Sequence, residues 1–299
     1  MIFDKIIEKI TKLNIRFERD CSLKNASTFR IGGNCALAVF PSNIHQLVYV
    51  LDMLDENGIR THVLGKGSNT LFSDGWLDMA VIFTSEINAV SIENNCITCG
   101  AGGGLIPLAS KACEAGLSGL EFASGIPGSV GGAVFMNAGA YGYSMDNVVV
   151  CSTAYDRESK NIFEVTEHQF GYRESVYKKR PSLVCLEAKM ILREGRTEEI
   201  RQEMRRLGEE RRKKQPLEYP SAGSYFKRPD GDFAGRLIEV CGLKGERIGG
   251  ACVSEKHAGF IVNSGNATFE DVIRLEERVR EVVLKQTGIV LEREVEMIK

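Results

Sequence analysis

Residues Gly125–Gly142 read GIPGSVGGAVFMNAGAYG, with six glycines and one proline among small residues, broken by a single Asn and a single Tyr. Glycine loses more backbone freedom on ordering than any other residue, so a run this dense would weaken an ordinary helix or strand. A chain that carries one needs positive φ at several points, or a backbone that approaches another group closely. Successive bare amides form concavities that bind anions, which suits a phosphate or a flavin laid against main-chain N–H groups. A tight structural loop over the core is the alternative that glycine density alone leaves open.

A second cluster lies upstream, Val63-Leu64-Gly65-Lys66-Gly67-Ser68-Asn69-Thr70-Leu71, fed by a short apolar strand over 62–64. It lacks the third glycine of a dinucleotide fingerprint, because Thr70 stands there, and Asp74-Gly75-Trp76 breaks the chain before a long helix can follow. No Gly-Lys-Ser/Thr ends a phosphate loop either. What remains is a strand-to-loop nest, with Ser68 and Asn69 as additional hydrogen-bonding groups.

Thr28-Phe29-Arg30-Ile31-Gly32-Gly33, the 65–69 nest and the 125–142 run are followed in order by three more signatures. They are Tyr172-Arg173-Glu174-Ser175, Ser221-Ala222-Gly223-Ser224-Tyr225-Phe226-Lys227 and Leu291-Glu292-Arg293-Glu294-Val295. This ordered set resembles the UDP-N-acetylenolpyruvoylglucosamine reductases, flavoproteins of the vanillyl-alcohol-oxidase superfamily. The likeness runs from about Phe17 onward. The compact stretch between Tyr172 and Ser221 is similar to the shorter, type II branch.

The resemblance implies an α+β fold: a two-subdomain FAD-binding module followed by a C-terminal α+β substrate-binding domain. It implies FAD held without a covalent bond. Gly65, Lys66, Gly67, Ser68 and Asn69 would contribute from the first segment. Ser124, Gly125, Pro127, Gly128, Gly131, Gly132, Asn137 and Gly139 would contribute from the second. The implied reaction is NADPH-dependent reduction of the enolpyruvyl group of UDP-N-acetylglucosamine enolpyruvate to the lactyl ether of UDP-N-acetylmuramate. Flavin N5 would deliver hydride to C3, and Ser224 would give a proton to C2. Serine is a weak acid and can do this only beside a strongly basic carbanion or enolate.

Arg173 and Glu294 match the other two catalytic positions. A guanidinium can hold a carboxylate through two parallel bonds and stabilise charge that grows there. A carboxyl at Glu294 is useful mainly in its protonated form, since an anion would repel the intermediate. Tyr172, Arg211, Lys214, Lys227 and Arg228 are the candidates for lining the substrate and its diphosphate. Without the resemblance, Ser224 reads as a turn residue. Arg211 and Lys214 read as the basic end of a helix. Glu292, Glu294 and Glu296 would be the outer face of one strand. The family commonly has a basic residue where this chain has Glu296. Two other readings remain at this point, a carbohydrate oxidase of the same superfamily and a non-catalytic flavin-binding sensor.

The remaining sequence sets limits. The chain has 299 residues and a formal charge of −2, so no nucleic-acid surface is indicated. No apolar run approaches the ~18 residues of a membrane span. Ile2, Phe3, Ile6, Ile7, Ile10 and Leu13 recur at helical spacing among charges, which reads as a retained amphipathic helix rather than a signal peptide. Nine cysteines are scattered, with one C-x-x-C at Cys96 and Cys99 that reads as two strands around an Asn-Asn turn. Neither these nor the four histidines show metal-ligand spacing, so no metal is expected. A cytoplasmic monomer is the simplest expectation.

The expected divisions are 1–84 for an N-terminal helix and first FAD subdomain, 85–194 with a returning strand at 290–299 for the second, and 195–289 for substrate binding. Within them, Ser42 should cap a helix that Gly58 closes, and helices should run near 105–115 and over 197–214. Thr268 and Asp271 should open a last helix that Gly288 ends.

Overall fold

The computed structural model describes residues 2–299. It divides into two compact units, each built from discontinuous segments. The first comprises the chain up to Arg19, Leu37–Lys66 and Asp78–Glu210; the second comprises Asp20–Ala36, Gly67–Leu77 and Arg211–Lys299. No helix among the described residues is long and apolar enough to cross a membrane.

Two sheets lie largely in the first unit. Strands Arg16–Ser22, Asn34–Phe40, Leu77–Phe83 and Thr61–Leu64 lie in that order, the last two parallel. The N-terminal helix Ile2–Lys12 and the helix Ile44–Glu56 share a core with them, burying Ile6, Ile10, Leu47, Val50, Leu51 and Leu54. Asn43, not Ser42, caps the second helix: its side chain accepts from Gln46 N–H at 3.0 Å. The Ser42 hydroxyl instead donates to the Gln46 side chain. Two adjacent small polar residues can both serve as caps, and the one with extended φ/ψ at the first free carbonyl takes the role. Gly58 follows at φ +64, as a left-handed helix stop requires.

The second sheet of this unit is antiparallel, in the order Asn161–Val165, Val149–Asp156, Leu183–Ile191, Cys96–Gly100, Val90–Glu93. The Cys96 and Cys99 strand pairs with Val90–Glu93 around Asn94 at φ +54. Helices Leu105–Glu114 and Val130–Met136 share its core, with Ile97, Leu108, Val130, Val134 and Met190 fully or almost fully buried.

The glycine run therefore folds around a seven-residue helix, where its composition argued against one. Backbone bonds stitch it to the neighbouring 101–105 loop. Val130 and Gly131 donate to the carbonyls of Gly103 and Ala101, both at 2.8 Å, and Leu105 donates to Gly128 at 3.0 Å. A Cβ on Gly131 would lie 2.8 Å from that of Ala101, closer than side chains tolerate. Glycine at 131 gives up helix propensity and gains this close approach.

The second unit packs helices Ala234–Val240 and Phe269–Thr287 against strands Arg247–Ile248, Ala251–Val253 and Ile261–Asn263. Thr268 and Asp271 form a reciprocal capping box, and Gly288 ends the long helix at φ +73. The helix Thr197–Lys214 runs over the predicted residues. The strand expected over 290–299 is regular only at Glu296–Ile298, parallel to Thr70–Phe72. Its earlier residues lie outside any regular strand and bond to the 225–227 segment: Lys227 N–H donates to Glu292 and Glu294 N–H to Tyr225.

Candidate active site

The first unit carries Gly65, Lys66, the 124–139 segment, Tyr172 and Arg173. Gly65 has no room for a side chain, because a Cβ there would strike the Ser129 hydroxyl. Ser129 in turn caps the helix Val130–Met136, accepting from Gly132 N–H at 3.3 Å. Ser124 donates to the Glu121 carbonyl at 2.7 Å, closing a tight turn. Pro127 and Gly132 are exposed, whereas Gly125, Gly128, Gly131 and Gly139 are half-buried. No charged side chain lies anywhere in 124–142.

Arg173 occupies the tip of a tight turn. Gly171 and Glu174 exchange both backbone bonds, at 3.1 and 3.2 Å, leaving Tyr172 and Arg173 between them. Arg173 sits at φ +58, and its guanidinium donates to the Gly139 carbonyl at 3.4 Å and lies 5.1 Å from the Tyr172 ring centroid. The segment leading into this turn is anchored by a buried chain of polar groups. His168 Nε2 and Tyr177 Oη each lie 2.7 Å from Ser152 Oγ. Burial holds the His168 imidazole below its ordinary value and pushes the Tyr177 phenol above its own. Neutral forms of both groups suit this network.

The second unit carries Gly67, Ser68, Asn69, Arg211, Lys214, Ser224, Lys227, Arg228 and Glu294. Gly67 takes φ +60, and a Cβ there would collide with the Ala26 carbonyl. It also accepts from Thr28 N–H at 3.1 Å, and Thr28 Oγ1 donates to the Ser221 carbonyl at 2.7 Å. The Thr28–Gly33 signature thereby links the 65–69 nest to the serine segment. Asn69 donates from Nδ2 to the Glu294 carbonyl at 3.2 Å, and Glu296 N–H returns to Asn69 at 2.9 Å.

Ser224 is half-buried after Gly223, which takes φ +80. The next residue, Tyr225, donates its N–H to Gly259 at 2.8 Å and accepts from Glu294 N–H at 2.9 Å. The serine and glutamate segments are thus locked side by side within one unit. Among the basic candidates, Lys227 pairs with exposed Glu292 at 3.3 Å, the Arg228 guanidinium lies 4.6 Å from the Phe233 ring centroid, and Lys214 is exposed. Of the three glutamates, Glu292 is exposed, while Glu294 and Glu296 are half-buried.

One group escaped the sequence reading. Glu276, on the long helix, is buried and meets Tyr225 Oη at 2.9 Å, Arg293 at 3.0 Å and Arg280 at 3.5 Å. The signal was present, because Glu276 interrupts the buried stripe Val272, Leu275, Val279, Val283. A carboxylate on an apolar helix face needs buried partners.

The glycine nests fit a flavin dinucleotide. They offer main-chain amides and neutral hydroxyls without carboxylates, and at Gly65 and Gly67 a side chain is sterically excluded. Comparison with known proteins agrees: the family described as FAD binding domain matches residues 35–157. The fold and these nests define an FAD-binding oxidoreductase.

The family described as UDP-N-acetylenolpyruvoylglucosamine reductase, C-terminal domain, matches residues 215–298. A UDP-N-acetylenolpyruvoylglucosamine reductase from Caldicellulosiruptor saccharolyticus is 45% identical, over 100% of this chain and 96% of the relative. One from Streptococcus suis is 44% identical, over 99% and 97%. The crystal structure of the Thermus caldophilus reductase superposes with a TM-score of 0.81 at 34% identity, covering 95% of this chain and all of that one. The chain belongs to the UDP-N-acetylenolpyruvoylglucosamine reductase family.

Proposed function

We propose that this protein reduces the enolpyruvyl group of UDP-N-acetylglucosamine enolpyruvate to the lactyl ether of UDP-N-acetylmuramate, with NADPH as reductant, in peptidoglycan precursor synthesis. The observation that carries the reading is family membership at 45% identity over the whole chain. FAD, when bound, supplies two-electron chemistry at its N5. Gly65, Gly67, the 125–132 backbone and Gly139 would hold it. Arg173 grips the substrate carboxylate and stabilises the charge that develops as hydride reaches C3. Ser224 releases its hydroxyl proton to C2, and Glu294 acts with Arg173 at the carboxylate side, where the enolic charge develops. Residues 195–289 form the substrate-binding portion, where Arg211, Lys214, Lys227 and Arg228 serve the diphosphate and Tyr172 lines the sugar from its own turn. A monomer in the cytoplasm is part of the same proposal.

Anaerobic titration tests this. The purified yellow protein should bleach with NADPH and recolour on addition of the enolpyruvyl nucleotide sugar. Recolouring with oxygen and a simple sugar substrate, but not with this nucleotide, would favour an oxidase. Failure to bleach with NADPH would favour a flavin-binding sensor.

A further inference from the structure

The Arg173 turn is held by the end of a single helix. Three consecutive residues at the C-terminus of Val130–Met136 and its cap each take one point of it. Ser175 Oγ donates to the Phe135 carbonyl at 2.7 Å, Lys178 Nζ lies 3.8 Å from Met136 Sδ, and Asn137 Nδ2 donates to the Gly171 carbonyl at 3.0 Å. Lys178 also donates to the carbonyl of Arg173 itself at 3.1 Å. In the turn, only the second central residue has positive φ, the pattern of a type II turn, where glycine is usual. An arginine there is strained and persists only where its surroundings over-determine it.

We propose that Asn137 is a positioning residue for Arg173, acting on substrate through the Gly171 carbonyl rather than on the flavin. Asn137 is buried, takes φ +42, and commits both ends of its amide to the protein backbone: Nδ2 to Gly171, and Oδ1 to the N–H of Asp146 at 3.0 Å. The bond fixes one corner of the turn, and the guanidinium direction follows from that corner. This inference rests on the functional reading above, in which Arg173 grips the substrate carboxylate.

The test is a double-mutant cycle on the flavin-loaded enzyme. Asn137→Gly keeps the left-handed helix end and removes the brace, while Asn137→Asp keeps the Oδ1 acceptor for Asp146 N–H and replaces the donor to Gly171 by an acceptor-only oxygen, which pushes that corner away. Each should slow reoxidation by the enolpyruvyl sugar about 100-fold, the scale of a misplaced catalytic group. FAD affinity, read by fluorescence, and the rate of flavin reduction by NADPH should stay at wild-type values. In an Arg173→Ala background, either change should add less than about three-fold, because the two residues act as one. Weakened FAD affinity, equal slowing of both half-reactions, or additive effects in the double variant would each overturn the inference. Wild-type protein that NADPH bleaches but the sugar does not recolour overturns the functional reading, and this inference with it.

Discussion

Tyr225 donates its phenolic proton to the Glu276 carboxylate at 2.9 Å, tying the residue after Ser224 to a buried acid in the middle of a helix. Arg293, the residue before Glu294, reaches the same carboxylate oxygen at 3.0 Å. Burial and the adjacent carboxylate raise the Tyr225 phenol well above its ordinary value, so it stays a donor. Removing one partner of such a group strands the others, whereas removing opposite charges together need not. Glu276→Ala should therefore cost about 3–5 kcal/mol, and the double change Glu276→Met with Arg293→Met much less. Urea unfolding followed by Trp76, the single tryptophan and a member of the same unit, measures both. Equal losses for the single and double variants would refute the pairing argument.

Ser224 allows the reaction to be cut in two. Reduction by NADPH requires no proton at the sugar's C2, so Ser224→Ala should bleach at a near-normal rate. Reoxidation should slow by several orders of magnitude, each tenfold being about 1.4 kcal/mol of barrier. Ser224→Cys should fall between, since a thiol still donates a proton and is the stronger acid. Stopped-flow absorbance of each half-reaction decides this. Equal slowing of both would make Ser224 structural.

Gly67 permits a cofactor prediction that involves no catalysis. A methyl group there meets the Ala26 carbonyl, and φ +60 penalises any L side chain. Gly67→Ala should lower bound flavin, read as the ratio of visible to ultraviolet absorbance. Its cost in stability should be at least 1 to 2 kcal/mol. Full flavin occupancy in this variant would move the cofactor away from the 65–69 nest.

His168 makes the fold acid-sensitive in a defined window. Its ordinary value is 6.5, and burial lowers it in the folded chain. Above pH 6.5 both states are neutral and the contribution is complete. Below that, the unfolded chain binds a proton that the folded one refuses, and stability falls by up to about 1.4 kcal/mol per pH unit until the folded value is reached. His257 is also lowered by burial and adds a similar slope. Denaturant midpoints across this range should fall less steeply for His168→Gln than for wild type. Parallel curves would show that His168 is protonated equally in both states.

Local signals were legible where one residue type decides the geometry. The capping box of Thr268 and Asp271, the glycine stops at 58 and 288, and the turn at Asn94 each follow from a single backbone requirement. The helix at Val130–Met136 was hidden because its stability comes from bonds to the 101–105 loop, not from its own propensity. The Arg173 turn was equally hidden. Positive φ at an arginine opposes intrinsic preference, and the bonds that Asn137 and Ser175 make there join residues 34 and 40 apart in sequence. Candidate site residues were readable only through ordered motifs. Taken singly, Ser224 is a turn residue and Glu294 a strand residue.

The pairing of Glu296–Ile298 with Thr70–Phe72 has a consequence for biosynthesis. All three residues of the earlier strand are buried, and their ladder partner is made only after most of the chain has been translated. At ribosomal elongation speeds, that interval is on the order of ten seconds or more. The first unit needs nothing beyond Glu210 and can collapse while the ribosome is still working. The second, drawn from three separated segments, must wait. A nascent chain thus holds the 70–72 strand, together with the earlier Phe29 and Ile31 of the same core, without partners for most of its synthesis, which is where a chaperone would have most to protect.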